Sequence, residues 1–224
     1  SLYSFLNKKK FKNFKIIFGG EDTKLSSQKR FFLFFLSKTF NNIFYEAKDI
    51  EYYNIKIMPI GLTEFYLRSF ENQFLKLIDT DTSKSKLLLS SFGFHWPNLN
   101  ELIKDRSEAI KFSKNKKYIT NNTFDTLEYL HQLSIHKFFL VPLGNGVQSP
   151  KLIEAILLKT IPIMTESLAS LELKKKGFPI LIVNKWSDIN EQMLISSYKI
   201  YSKKINEFYT LINDNKKYFK FCHS

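Results

Sequence analysis

The residues best suited to bind a ligand lie in one stretch, GNGVQSPKLIEAILLKTIPIM, over 144–164. Its glycines allow positive φ and a close approach of a ligand to the backbone. Ser149 is a good N-cap and Pro150 a good first helical residue, so a helix is predicted to start there. The free N–H groups of a helix start bind anions, and Lys151 adds positive charge. Glu154 follows one turn later, outside the apolar stripe, where its carboxylate could accept hydrogen bonds from the vicinal hydroxyls of a ribose.

This pattern has an ordinary alternative, because a loop, an N-cap and a helix occur in every α/β protein. No Gly-Lys-Ser/Thr follows the glycines, so the stretch is not a Walker loop. It also lacks the G-x-G-x-x-G spacing of a dinucleotide site. On spacing alone, a ligand site and a purely structural turn both stay open.

The elements around this stretch alternate between apolar runs and helical patterns. In the second half of the chain we predict strands at 86–91, 117–119, 137–141, 161–164 and 180–183, and helices at 99–112, 123–134, 149–159, 167–175, 187–201 and 203–218. Buried strands that alternate with helices indicate a parallel sheet covered on both faces, as in a Rossmann-like domain. Ligands bind beyond the carboxyl ends of such strands, and the glycine stretch directly follows strand 137–141.

The first part of the chain has fewer elements. Apolar runs predict strands at 14–18, 43–45 and 55–60 and a helix at 30–40. The stretch 79–85 is polar and rich in turn residues, so we expect a domain boundary there. The expected organisation is an N-terminal α/β part over 1–80, a ligand-binding domain over 81–200 and a C-terminal helix over 201–224.

The composition of the chain limits the classes of function that it could have. The chain has 224 residues, 44% of them hydrophobic, and a net charge of +13. That charge suits nucleic acid, an acidic membrane surface or phosphorylated substrates, although abundant Lys, Asn, Ile and Phe are also typical of an A/T-rich genome. No apolar run reaches the roughly 18 residues of a membrane span. The single cysteine, Cys222, rules out an internal disulfide and suits a reducing, cytoplasmic location.

Several segments resemble one family. The first two are Lys56–Leu62 (KIMPIGL) and the run LLLSSFGFHW, which is followed by Arg106. The third is KFFLVPLGNGVQSPKLIEAILLKTIPIM, which contains Gly144, Asn145, Gly146, Lys151 and Glu154-Ala155. The fourth is FPILIVNKWSDI, which contains Trp186-Ser187-Asp188. Together they are similar to the donor-binding half of exostosin-like glycosyltransferases, which have the two-domain GT-B fold. The resemblance covers about 15–189 and is strongest over 138–188.

The resemblance implies a fold, a function and roles for residues. It implies a GT-B-like α/β fold, a Rossmann-like parallel-sheet domain with a reduced or incomplete N-terminal α/β part. The function implied is transfer of a sugar from a nucleotide-diphosphate donor to a glycan hydroxyl. Glu154 would bind the donor's ribose, while Arg106 and the helix start at Ser149 would hold the diphosphate. The family often has an acid after the glycine turn and His-Arg before the Glu, where this chain has Gln148 and Pro150-Lys151.

Other residues could supply the chemistry of transfer. A base must deprotonate the acceptor hydroxyl in an inverting reaction. Glu21 and Asp22 follow a predicted strand and Gly19-Gly20, and His95 follows strand 86–91, so these three are the candidates. A turn with an Asp N-cap and a structural histidine beside Trp96 are their alternatives. No His, Asp or Glu grouping has metal-ligand spacing, so we expect a metal-independent reaction without a cofactor, assisted by helix dipoles and cations.

The expected partners are a nucleotide-sugar donor and a glycan acceptor. Peripheral membrane association stays open, and nucleic acid is not expected. Two other hypotheses remain. One is a fucosyltransferase-like enzyme, because SPKLIEAILLKTIPI also resembles the donor helix of that family. The other is a non-catalytic basic α/β domain: either a nucleic-acid-binding or regulatory domain that uses the +13 surface, or a degenerate glycosyltransferase-like subunit that only binds or scaffolds.

Overall fold

The computed structural model describes residues 14–20, 23–62, 69–80, 82–93, 100–144 and 146–222. It is an α/β structure with two parallel sheets, one of three strands and one of five. The prediction of parallel sheets that alternate with helices is therefore confirmed at the level of fold class.

The smaller sheet is formed by the first part of the chain. Its strands are β1 (Lys15–Phe18), β2 (Asn42–Tyr45) and β3 (Ile55–Ile57). They pair in the order β1-β2-β3, all parallel, with Ile16 opposite Ile43 and Ile43 opposite Ile55. Helix α1 (Arg30–Thr39) connects β1 to β2 and buries Leu33 and Leu36, which lie three residues apart on one face.

The larger sheet is formed by the second half. Its strands are β4 (Lys86–Ser90), β5 (Ile119–Asn121), β6 (His136–Leu140), β7 (Ile161–Thr165) and β8 (Leu181–Val183). They are all parallel in the order β5-β4-β6-β7-β8. The order reverses between β4 and β6, and in open α/β sheets the crevice at such a switch point is where ligands bind.

Seven further helices flank or connect these strands in the described residues. They are α2 (Glu71–Asp79), α3 (Asn100–Ser113), α4 (Thr126–Ile135), α5 (Lys151–Leu157), α6 (Leu168–Lys176), α7 (Glu191–Ile212) and α8 (Asn215–Cys222). Local sequence explains several ends. Asp125 and Ser167 accept backbone N–H bonds as N-caps, and α6 ends at Gly177 with φ 106°, the left-handed C-cap that glycine favours.

The C-terminal helices differ from the prediction. We predicted a break near residue 202, but α7 runs without interruption from Glu191 to Ile212 and the break falls at 213–214. The Ser202 hydroxyl donates to the carbonyl of Lys199 inside the helix, so this polar residue is accommodated without a break.

The two sheets share one continuous hydrophobic core. The boundary predicted near 80 separates the strands correctly, since β3 ends at Ile57 and β4 begins at Lys86. However, α2 packs against α4, and the Tyr209 hydroxyl lies 3.5 Å from the carbonyl oxygen of Ile78. Helix α2 therefore belongs by its contacts to the second half, although it lies within the 1–80 segment.

Candidate functional site

The carboxyl ends of the two sheets meet at Gln148. Its Nε2 donates to the carbonyls of Glu46 (2.6 Å) and Met58 (2.8 Å), and its Oε1 accepts from the N–H of Ile60 (3.1 Å). Glu46 directly follows β2 and Met58 directly follows β3, while Gln148 lies in the loop after β6. The Gln148 side chain is buried. Its hydrogen bonds join the ends of β2 and β3 to the loop after β6.

The glycine stretch is held by the protein itself. A Cβ on Gly144 would lie 3.4 Å from the carbonyl oxygen of Gln148, so the glycine allows this loop to turn back on its own backbone. Gly146 is buried, and Asn145 lies outside the described residues. We expected a ligand to approach the backbone closely at Gly144. In the structure, the backbone of Gln148 occupies that position.

The start of α5 differs from the prediction. Pro150 occupies the N-cap position in helical conformation, Lys151 is the first helical residue, and no side chain caps the helix. The backbone N–H groups that follow donate within this turn: Leu152 to Ser149, and Ile153 and Glu154 to Pro150, at 3.0–3.1 Å. Ser149 is buried and is not the N-cap. These amide groups are therefore engaged within the chain and are not presented to a diphosphate.

Glu154 is buried, in contrast to the prediction that it lies at the open ligand edge. Only 2% of the residue is exposed, and Oε2 accepts a hydrogen bond of 2.7 Å from the Tyr129 hydroxyl. A ribose cannot reach the carboxylate in this conformation. The side chain falls outside the predicted apolar stripe, yet α4 covers this face of α5 and Tyr129 supplies the hydrogen bond that a buried carboxylate requires.

Arg106 is likewise directed at the backbone. Its Nη1 donates to the carbonyl of Gly93 (2.6 Å), and Nε and Nη2 both donate to the carbonyl of Leu143 (3.3 and 3.1 Å). The guanidinium thus joins the loop after β4 to the loop after β6. The guanidinium that was expected to bind a diphosphate is instead hydrogen-bonded to two loops at the switch point. Its positive charge remains at this edge of the sheet.

A crevice of about 150 Å³ lies at the same edge, beyond the carboxyl ends of β4 and β5. Its lining residues are Ser91, Phe92, Gly93, Thr123, Phe124, Thr126, Tyr129 and Lys151. Hydroxyl groups, aromatic rings and one ammonium group therefore converge here. Of the predicted donor-binding residues, the crevice includes Lys151.

Lys151 is the cation of this crevice. Its Nζ lies 3.9 Å from the centroid of the Tyr129 ring, a favourable cation–π distance. Burial lowers the pKa of Lys151; the nearby Glu154 carboxylate opposes that effect, and the positive charge of Arg106 adds to it. The Lys151 ammonium therefore lies near one carboxylate, Glu154, and one further cation, Arg106.

Sequence reasoning missed Asp105, the neighbour of Arg106 on α3. Its carboxylate accepts from the N–H of Leu143 (2.9 Å), the hydroxyl of Thr165 (2.9 Å) and Nε1 of Trp186 (2.9 Å). Burial raises the pKa of Asp105, and these hydrogen bonds oppose the shift. Asp105 therefore joins the last residue of β7 to the segments that follow β6 and β8. Trp186 was the one signal in the sequence, since a buried indole N–H requires an acceptor.

The three predicted catalytic residues, Glu21, Asp22 and His95, lie outside the described residues. Gly20, which precedes the first two in sequence, is described: its N–H donates to Oε2 of Glu46 at 3.0 Å, at the carboxyl edge of the first sheet. Within the described ranges, no group of three or more His, Cys, Asp or Glu side chains could hold a metal ion. None of the helices described there is long and apolar enough to cross a membrane.

A larger cavity of about 1120 Å³ lies between β3 and α6. None of the predicted site residues lines it. At its wall, Lys48 is buried and forms ion pairs with Glu51 (3.1 Å) and with Glu172 of α6. This cation is therefore a second connection between the two halves, in addition to Gln148.

No protein-family model matches this chain, and no curated sequence is significantly similar to it.

Proposed function

We propose that the chain binds a nucleotide-sugar and is a GT-B-type glycosyltransferase, with the crevice at Lys151 as the site for the anionic part of the donor. The observation that carries the proposal is the opposition of two parallel α/β sheets through their carboxyl ends at Gln148, together with a crevice that contains Lys151 beyond the carboxyl ends of β4 and β5. Ligands of parallel α/β folds bind at this edge.

The chemistry of the crevice supports an anionic, hydroxyl-rich ligand. The Lys151 ammonium can pair with a phosphate, while Ser91, Thr123 and Thr126 can donate and accept hydrogen bonds. The crevice is smaller than the roughly 300–1,000 Å³ of typical ligand pockets, so it would hold one end of the donor. Glu154 has no direct role in this proposal; it orients Tyr129, which lines the crevice.

In the proposed reaction, the acceptor hydroxyl oxygen forms a bond to the anomeric carbon of the sugar, and the bond from that carbon to the diphosphate breaks. The hydroxyl proton passes to a base, for which Glu21, Asp22 and His95 remain the candidates. The leaving diphosphate gains negative charge, and the positive charges of Lys151 and Arg106 stabilise it.

A second candidate function follows from the inward orientation of Glu154 and Arg106. Both residues are buried and hydrogen-bonded within the chain. A protein that keeps the fold but binds a nucleotide without transferring sugar would tolerate this arrangement. We therefore keep a non-catalytic binding subunit as the alternative, and turnover separates the two.

The test is a thermal-shift panel of UDP-, GDP-, CMP- and dTDP-sugars with the wild-type chain and Lys151→Gln. A donor at about 100 times its Kd stabilises the folded state by about 2.7 kcal/mol, or about 5–10 °C for a chain of this size. We expect such a shift for the wild type and its loss in Lys151→Gln.

The matched control is Lys137→Gln, because Lys137 is also half-buried and its Nζ lies 4.9 Å from the centroid of the Tyr198 ring, at another place in the fold. This variant should keep the full shift. No stabilisation by any donor, or equal stabilisation of both variants, would contradict the proposal. Release of nucleoside diphosphate in the presence of acceptor glycans supports the transferase; binding without release supports the non-catalytic alternative.

A further inference from the structure

We propose that α1 docks the protein on an acidic membrane surface through the exposed rings of Phe31 and Phe34 and the cations beside them. Both rings face outward, with 70% of Phe31 and 55% of Phe34 exposed. We call Phe31, Phe34 and the cations Lys29, Arg30 and Lys38 the α1 face. The α1 face shares no residue with the proposed donor crevice, so this proposal is independent of the donor site.

The helix has two different apolar stripes. Leu33 and Leu36 are buried against the first sheet and account for the folding of α1. Phe31, Phe34 and Lys38, at intervals of three and four residues, form the outward stripe. The inward stripe accounts for the packing of α1, and the two large exposed rings lie outside it.

The charged residues of α1 and the residue before it are all positive. Lys29, Arg30 and Lys38 are exposed, and the sequence of α1, RFFLFFLSKT, contains no acid. The Nζ of Lys38 lies 5.6 Å from the centroid of the Phe34 ring, so cation and ring belong to one surface. Aromatic rings beside lysine and arginine, without acids, are the pattern of helices that lie in the interface of anionic lipids.

The chemistry decides between possible occupants of this face. A purely apolar partner would leave three cations beside a dry interface, which is costly. Anionic headgroups pair with the cations, while the rings enter the boundary between headgroups and acyl chains. The net charge of +13 acts in the same direction, because it draws the whole molecule towards a negative surface.

The experiment is sedimentation of the full chain with vesicles of phosphatidylcholine alone or with about one-third phosphatidylserine. We expect binding to the acidic vesicles that weakens with salt. Phe31→Ser/Phe34→Ser should lower the partition coefficient by about twenty-five-fold, since each ring contributes roughly five-fold. Lys29→Gln/Arg30→Gln/Lys38→Gln should lower it by about a hundred-fold, at roughly five-fold per cation.

Matched controls exist elsewhere on the surface. Ile195→Ser/Ile200→Ser removes two side chains of similar exposure, 55% and 59%, from α7. Lys111→Gln/Lys114→Gln/Lys117→Gln removes three exposed cations from the second half. The first should bind vesicles as the wild type does, and the second should retain more than the α1 variant. As an independent readout, Phe34→Trp should show a blue shift of its fluorescence when acidic vesicles are added.

Several results would overturn the proposal. They are absence of binding to acidic vesicles, equal binding by Phe31→Ser/Phe34→Ser and the wild type, and equal losses in the α1 variants and their controls. Self-association that Phe31→Ser/Phe34→Ser abolishes, without vesicle binding, would instead assign the α1 face to a second copy of the chain. None of these results bears on donor binding, which Lys151→Gln tests separately.

Discussion

Replacement of Gln148 by methionine tests whether the two sheets are joined as described. Methionine has nearly the same length and no amide, so the change removes the three hydrogen bonds to Glu46, Met58 and Ile60 while it fills the space. Each lost hydrogen bond costs about 1 kcal/mol net, because the backbone groups of Glu46, Met58 and Ile60 would then face an apolar side chain at a buried position. We therefore expect the free energy of unfolding to fall by about 3 kcal/mol.

The assay is urea unfolding followed by far-UV circular dichroism. The same loss corresponds to a fall of about 6–12 °C in Tm for a chain of this length. Gln148→Glu should be more destabilising than Gln148→Met, because a carboxylate would face two carbonyl oxygens without a donor.

The control is Gln132→Met on α4. Gln132 also makes two side-chain hydrogen bonds, to Glu128 and Lys86, but it is only half-buried, so water can replace them. We expect a loss of under about 1 kcal/mol for this variant. If Gln148→Met and Gln132→Met lose the same stability, the junction of the sheets does not depend on Gln148 and the reasoning is refuted.

Two further predictions concern buried polar groups of the second half. Burial lowers the pKa of His136 to about 4 in the folded chain, whereas the same side chain has a pKa of 6.5 when the chain is unfolded. Between these two values only the unfolded chain takes up the proton, so the free energy of unfolding should fall by about 2–3 kcal/mol from about pH 6.5 to about pH 4. In urea titrations at several pH values, the stability of His136→Asn should depend less on pH than that of the wild type. Asp105→Asn should cost about 2–3 kcal/mol in urea unfolding, because an amide NH₂ would face one of the three donors that the carboxylate accepts. Asp125→Asn is its control, since asparagine caps a helix as well as aspartate does, and a similar loss there would contradict the role of Asp105.

The strands were predictable because their signal is local. Runs such as KFFLV and ILIV are apolar and bounded by turn residues, and β6 and β8 follow them to within one residue at each end. The alternation with helices then required parallel pairing, which both sheets have. The order of strands was not predictable, because it depends on which loops cross over the sheet.

The side chains of the site were harder to predict than the elements. The position of Glu154 on α5 could be read from spacing, but its burial depends on Tyr129, which comes from α4, 25 residues away. Arg106 was named from the resemblance, and its partners are backbone carbonyls, which carry no signal in a sequence. Lys151 could be placed at the edge of the sheet because it directly follows a loop at that edge.

The two connections between the halves bear on how a ligand would reach this protein. Gln148 and the pair of Lys48 with Glu172 span the junction at separate points, so a hinge opening would have to break both at once. The crevice beyond β4 and β5 lies on a flank that neither of these connections lines. Under the proposed function, a donor would reach this crevice, whose lining includes Thr123 and Phe124, without a hinge opening.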